Sequence, residues 1–205
     1  MTGNPVKRTT GYGASPEKLR QAMAGKKSDF TEKRLSSKRV YRGRLLDVRE
    51  DAVRLPSGRD ARRETIRHPG AAAVVPFLDR DRVVLVRQYR YALARHFYEI
   101  PAGKIDAGET PLRTAKRELR EECGYSARHW RCLAAIHPCI GYSDERIDIY
   151  VARRLAHVGH APDEDEHLEA VVMPIAKALR WAREGRITDA KSIIGLLLAA
   201  NCRDW

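Results

Sequence analysis

Glu118, Glu121 and Glu122 stand at i, i+3 and i+4. On a helix that spacing puts three carboxylates on one narrow arc. Like charges so placed repel and weaken an isolated helix. Two arrangements relieve the repulsion. One is a hard divalent cation held by oxygen ligands, for which Mg²⁺ or Mn²⁺ suits carboxylates. The other is a solvated acidic face partnered by Arg113, Arg117 and Arg120.

The segment that carries these glutamates reads as the clearest helix of the chain, from about residue 111 to 123. Thr110 suits the N-cap and Pro111 the first helical position. Leu112, Ala115, Leu119 and Cys123 form one apolar stripe beside the acidic arc. Gly124 is placed to end the helix.

Around it the chain alternates strand and turn signals. Residues 38–68 read as an antiparallel unit. Val40–Leu55 is extended, Pro56–Asp60 turns, and Ala61–His68 returns. Ala71–Phe77 and Val83–Tyr89 read as a central hairpin, and Phe97–Pro101 as a shorter strand. Further strands are expected at Trp130–His137, Ile147–Ala152 and Leu168–Pro174, and closing helices at Ile175–Glu184 and Asp189–Asn201. The acidic loop Pro162–Glu166 lies just before the last strand. The organisation expected is a mobile basic arm over 1–37, the antiparallel unit over 38–69, and a main domain over 70–205.

Composition narrows the function. The chain has 205 residues, 43% of them hydrophobic, enough for a real core and too apolar for a wholly disordered chain. Its longest apolar runs, Ala71–Leu78 and Ile193–Ala200, are eight residues each. A bilayer span needs roughly 20. No apolar signal-peptide stretch stands near Met1, so a cytoplasmic location is expected. None of the four cysteines forms a Cys-x-x-Cys pair, so reduced thiols are expected. The net charge is +12, and residues 1–70 carry most of it, with 18 Lys and Arg against 8 Asp and Glu. That excess fits a polyanion, a smaller anionic ligand, or a solvated tail.

Gly103 to Tyr125 resembles the Nudix box: glycine, five residues, glutamate, seven residues, then Arg-Glu-apolar-x-Glu-Glu-x-Gly-apolar. Gly103, Glu109, Arg117, Glu118, Leu119, Glu121, Glu122 and Gly124 all fall in place. Tyr125 stands where an aliphatic residue is commoner. The resemblance implies an α/β/α sandwich around a mixed sheet. It also implies Mg²⁺-dependent hydrolysis of a nucleoside diphosphate linked to another group, with Mn²⁺ as a possible substitute. Glu118 and Glu122 would then be metal ligands together with the Ala102 carbonyl. Glu121 would ligate directly or through water, and Arg117 would hold the glutamates by charge-assisted hydrogen bonds.

The likeness extends over about residues 30–200. Tyr41-Arg-Gly, Arg63-Glu64, Arg87-Gln-Tyr-Arg90, Glu99-Ile-Pro-Ala-Gly103, Gly141-Tyr-Ser-Asp-Glu145 and Asp163–Glu166 resemble the ADP-ribose pyrophosphatase and nucleotide-sugar branch. That branch implies a homodimer with an exchanged N-terminal sheet, and hydrolysis of ADP-ribose to AMP and ribose 5-phosphate. It implies Tyr41, Arg63, Glu64, Arg90, Lys104 and Glu145 as substrate-site residues. Glu164 or Glu166 would be the general base, with Glu121 or Glu145 next in line. Two positions depart from the branch. Ile140 stands where a proline is typical. Arg44 and Leu45 stand where relatives often offer aromatics to the base. GDP-mannose or another nucleotide sugar therefore stays open. The reading from another class is an RNA-binding or RNA-end-processing module using the basic arm. That arm has only Tyr12 and Phe30 as stacking aromatics, so a nucleic-acid partner is not expected.

Overall fold

The computed structural model describes residues 29–159 and 167–202. Among these described residues ten strands and three α-helices follow one another: β1 (Lys33–Arg42), β2 (Asp47–Arg54), β3 (Asp60–Arg67), β4 (Ala71–Pro76), β5 (Arg82–Arg90), β6 (Arg95–Glu99), β7 (Ala102–Lys104), α1 (Pro111–Cys123), β8 (Tyr125–Ile136), β9 (Ile147–His157), β10 (Leu168–Pro174), α2 (Ile175–Arg183) and α3 (Ala190–Ala200).

The core follows from period-2 alternation in β4 and β5. Ala71, Ala73, Val75, Val83 and Leu85 face one side, against Ile175 and Ala178 of α2 and Leu196 and Ala199 of α3. Val74, Val84 and Val86 face the other, against Leu119 and Cys123 of α1. Helices therefore cover both faces, which makes an α/β/α sandwich. Its mixed sheet runs β7-β4-β9-β8, with β4 and β9 parallel. A second, antiparallel sheet runs β10-β5-β6.

β4 and β5 do not form the expected hairpin. They share only the bridge Phe77–Val83. All six residues of β4 are buried, and both its edges are taken, by β7 and β9. A strand so enclosed has no edge left for β5, which pairs with β6 and β10 instead. The N-terminal unit also differs in detail. It is a three-stranded sheet, β1-β2-β3, that begins at Lys33, inside the stretch expected as an arm. The chain reverses at Gly43, whose amide donates to the Leu46 carbonyl (2.8 Å), so Val40–Leu55 is two strands rather than one. Residues 1–28 and the acidic loop, with Glu164 and Glu166, lie outside the described residues.

α1 has the expected bounds. The Thr110 hydroxyl accepts from the Arg113 amide, and Pro111 opens the helix. Gly124 closes it at φ +72°, a left-handed conformation that suits glycine.

Candidate active site

α1 meets β7 where the box glutamates emerge. Glu118 and Glu122 are 5% and 3% exposed. Buried carboxylates need partners. The Ala102 amide donates to Glu122 Oε2 (3.0 Å), tying the helix to β7. Glu118 lies against Gly103. A Cβ there would stand 1.8 Å from Glu118 Oε1, so only glycine leaves room for the carboxylate.

Arg117 organises the rest. It donates to Glu118 Oε1 (2.7 Å), Glu121 Oε2 (2.9 Å), Glu109 Oε2 (3.2 Å) and the Lys104 carbonyl (3.1 Å). Partial burial works against the Arg117 charge, but Glu109, Glu118 and Glu121 outweigh it and raise its pKa above the usual arginine value. Arg117 and the Thr114 hydroxyl together hold Glu109 below the ordinary carboxylate range.

Among the described residues, no three acidic, histidine or cysteine side chains already converge as a metal cage. The guanidinium stands between Glu118 and Glu121 and takes their charge. The donor set still fits a hard divalent cation. It is all oxygen, anionic in excess of Arg117, half buried, and backed by a glycine that keeps Glu118 close to β7. Glu118, Glu122, Glu121 and the Ala102 carbonyl would hold it.

The cluster opens into a cleft of about 540 Å³. Of the sequence-derived residues, Ala102, Lys104, Arg117, Glu118, Glu121, Arg90 and Glu145 line it. Glu122 sits just behind, on the Ala102 amide. Arg63, Glu64 and Tyr41 are not on this wall. Arg63 pairs with Glu32, Glu64 stands across from Glu50, and Tyr41 is exposed. Within one chain these three stay on the N-terminal sheet.

Leu45, noted in the sequence as a departure from the branch, also lines the cleft, and His68, Asp189 and Lys191 are cleft residues that escaped the sequence reading. Lys191 belongs to a charge network. Arg90 makes a bidentate pair with Glu99 (2.7 Å for each contact), and Lys191 donates to Glu99 Oε2 (2.6 Å) and Asp189 Oδ2 (3.0 Å). Burial would raise the pKa of Glu99, but Arg90 and Lys191 prevail and lower it to about 2. Asp189 caps α3 by accepting from the Ser192 amide, and the Ser192 hydroxyl accepts from the Ile100 amide (2.8 Å). The start of α3 is thereby fixed to the strand end that leads into Ala102. The sequence signal was a helix cap, Asp189, followed two residues later by a lysine. Nothing local places that lysine beside Glu99, 92 positions earlier.

Comparison with known proteins agrees with this geometry. The NUDIX domain family matches residues 67–193, and the nucleoside diphosphate sugar hydrolase N-terminal domain matches residues 32–66. The chain is 38% identical to a methanol dehydrogenase activator of Bacillus methanolicus, over 82% of this chain and 91% of that protein. It is 35% identical to an ADP-ribose pyrophosphatase of Bacillus subtilis (strain 168), over 78% of this chain and 88% of that one. It is 38% identical to an ADP-ribose pyrophosphatase of Mycobacterium tuberculosis, over 80% of each chain. A solved ADP compounds hydrolase superposes with a TM-score of 0.78 at 27% identity, covering 86% of this chain and 96% of that one.

Proposed function

This chain belongs to the NUDIX domain family, and from that premise we propose that it hydrolyses the diphosphate bond of a nucleoside diphosphate sugar, ADP-ribose first, to AMP and ribose 5-phosphate. The observation that carries the reading is the shared cleft. Carboxylates suited to a divalent cation line one part of it, and the cations Arg90, Lys104 and Lys191 line another. A diphosphate needs both. A bound Mg²⁺ or Mn²⁺ supplies neutralisation of the diphosphate and a water of lowered pKa.

The protein groups do the remaining work. Arg90 and Lys104 hold the phosphate oxygens by charge-assisted hydrogen bonds. Glu99 keeps Arg90 aimed, and Arg117 holds Glu118 and Glu121 together. One water adds to one phosphorus, the bridging P–O bond breaks, and the bridging oxygen leaves on the other phosphate. Glu164 or Glu166 takes the water's proton, with Glu121 or Glu145 next in line. Turnover that survives Glu164→Gln and Glu166→Gln, each assayed singly at saturating substrate, would move the base to one of those two.

We also propose a homodimer, with Arg63, Glu64 and Tyr41 offered to the partner's cleft. All ten residues of β1 are exposed, Leu35, Val40 and Tyr41 among them, and an antiparallel unit this small needs a surface to bury against. A monomer in light scattering at micromolar concentration contradicts this. A cytoplasmic location suits the cysteines, all four of which are free.

A second substrate reading keeps one observation. Leu45 lines the cleft where an aromatic would stack on a base, and Ile140 is 84% exposed. GDP-mannose or another nucleotide sugar is the alternative. A panel of nucleotide sugars with Mg²⁺, Mn²⁺ or chelator, with products identified by chromatography, decides between them. ADP-ribose is expected to lead, with no product under chelator. No turnover of any nucleotide sugar contradicts the function.

A further inference from the structure

We propose that Asp144 is a positioning residue that fixes Glu145 at the cleft by latching its loop to the exit of the N-terminal sheet. The proposal rests on the reading of Glu145 as a substrate-facing residue of the diphosphatase cleft.

The loop between β8 and β9 carries Pro138 and Glu145 on the cleft wall. Its far end is held by the core, because the Ala71 amide donates to the Arg146 carbonyl (2.8 Å). Its outer part is held by the last residues of β3. The Ile66 amide donates to the Tyr142 carbonyl (2.7 Å), and the Asp144 amide donates to the Ile66 carbonyl (3.2 Å). The Asp144 carboxylate then takes two donors from consecutive residues. Oδ1 accepts from the His68 amide and Oδ2 from the Arg67 guanidinium, both at 2.8 Å. A carboxylate held at both oxygens cannot rotate, so the backbone at 144 is fixed and with it the direction in which residue 145 leaves.

His68 completes the arrangement from the other side. Its Nδ1 accepts from the Gly70 amide (3.1 Å), so the proton of a neutral ring sits on Nε2. That nitrogen lies 3.9 Å from Glu145 Oε1. Glu145 is thus bracketed by Asp144 behind it and His68 beside it. The ion pair itself is too exposed to serve stability: the Arg67 and Asp144 side chains are 47% and 42% exposed. Its effect is on where Glu145 points. The latch also holds His68, just past the end of β3, on the cleft wall.

The test is a double-mutant cycle on the full chain with ADP-ribose: Asp144→Ala, Asp144→Asn, Glu145→Gln, and Asp144→Ala with Glu145→Gln. Asp144→Ala is expected to raise KM at least ~5-fold with kcat within ~2-fold of wild type. Asp144→Asn should restore most of the KM, since its amide oxygen still accepts from the His68 amide. The double variant should match Glu145→Gln alone, because two changes acting through one group do not add. Wild-type kinetics for Asp144→Ala overturn the proposal. So does a double variant whose KM rises by the product of the single effects. An active wild type in which Glu145→Gln has no effect overturns the placement of Glu145 and the latch with it. A wild type inactive on every nucleotide sugar overturns the functional reading first.

Discussion

On α1 and the loop before it, one guanidinium is shared by Glu109, Glu118 and Glu121, and Glu118 and Glu122 are nearly shielded from water. On the β1–β3 sheet, Arg39 pairs with Asp47, Arg54 with Asp60 and Arg62 with Glu50, one carboxylate to each guanidinium and largely in solvent. The first region concentrates more acid than it neutralises and holds it in place. The second distributes its charge across strands where water screens it. Charge density alone does not mark a site. Carboxylates held together against their own repulsion do.

The contrast breaks most sharply at Glu122. Glu122→Gln keeps the shape and can still accept from the Ala102 amide, but it removes a charge a cation needs. Turnover should fall at least about 10²-fold with the fold intact by circular dichroism. Near-wild-type kcat at saturating Mg²⁺ means that Glu122 is not a ligand. Gly103→Ala comes next. The new Cβ would displace the Glu118 carboxylate, whose end is flexible enough to swing away. We expect kcat to drop about 10-fold or more and Tm to move by only a few degrees. Full activity in this variant contradicts the close packing of Glu118 on β7.

Glu99→Gln tests the charge network at the far wall. The folded carboxyl titrates near 2 against an ordinary 4.5, so the charged form is favoured by folding. That contribution is fully present above about pH 4.5 and is lost as pH falls toward 2. The variant should be less stable by on the order of 2 kcal/mol at pH 7, with the gap to wild type closing toward pH 2. Urea unfolding of both proteins at pH 7 and pH 3 checks this, and a gap unchanged by pH contradicts it. At the small end, Arg54→Ala on the N-terminal sheet should leave Tm within about a degree. A larger loss would mean that the sheet's charges are buried in the assembly, which calorimetry at several protein concentrations would show.

These contrasts also explain what could be read from the chain. The α1 bounds were legible because cap, stripe and terminating glycine are local signals, and Gly103, Glu109 and Arg117–Glu122 sit within one continuous segment. The pairing of β4 was not legible. A run of buried valines and alanines states that both faces are covered and says nothing of which strands take its two edges. Arg90 was identified from the motif around it, but its holder Glu99, though part of the Glu99–Gly103 motif, was given no role. Asp189 was legible only as a helix cap, and Lys191 and His68 carried no local mark of the cleft. They reach the cleft through long-range packing, of α3 on the core and of the β3 exit on the β8–β9 loop.

The central claim is that the carboxylates gathered on Arg117 are a divalent-cation site. Titrating Mn²⁺ into the wild-type protein and into Glu118→Gln and Glu122→Gln, with free Mn²⁺ read by electron paramagnetic resonance, tests it without needing turnover. We expect saturable binding by the wild type and affinity weakened at least about 10-fold in each variant. Equal binding by all three proteins, or none by the wild type, contradicts it.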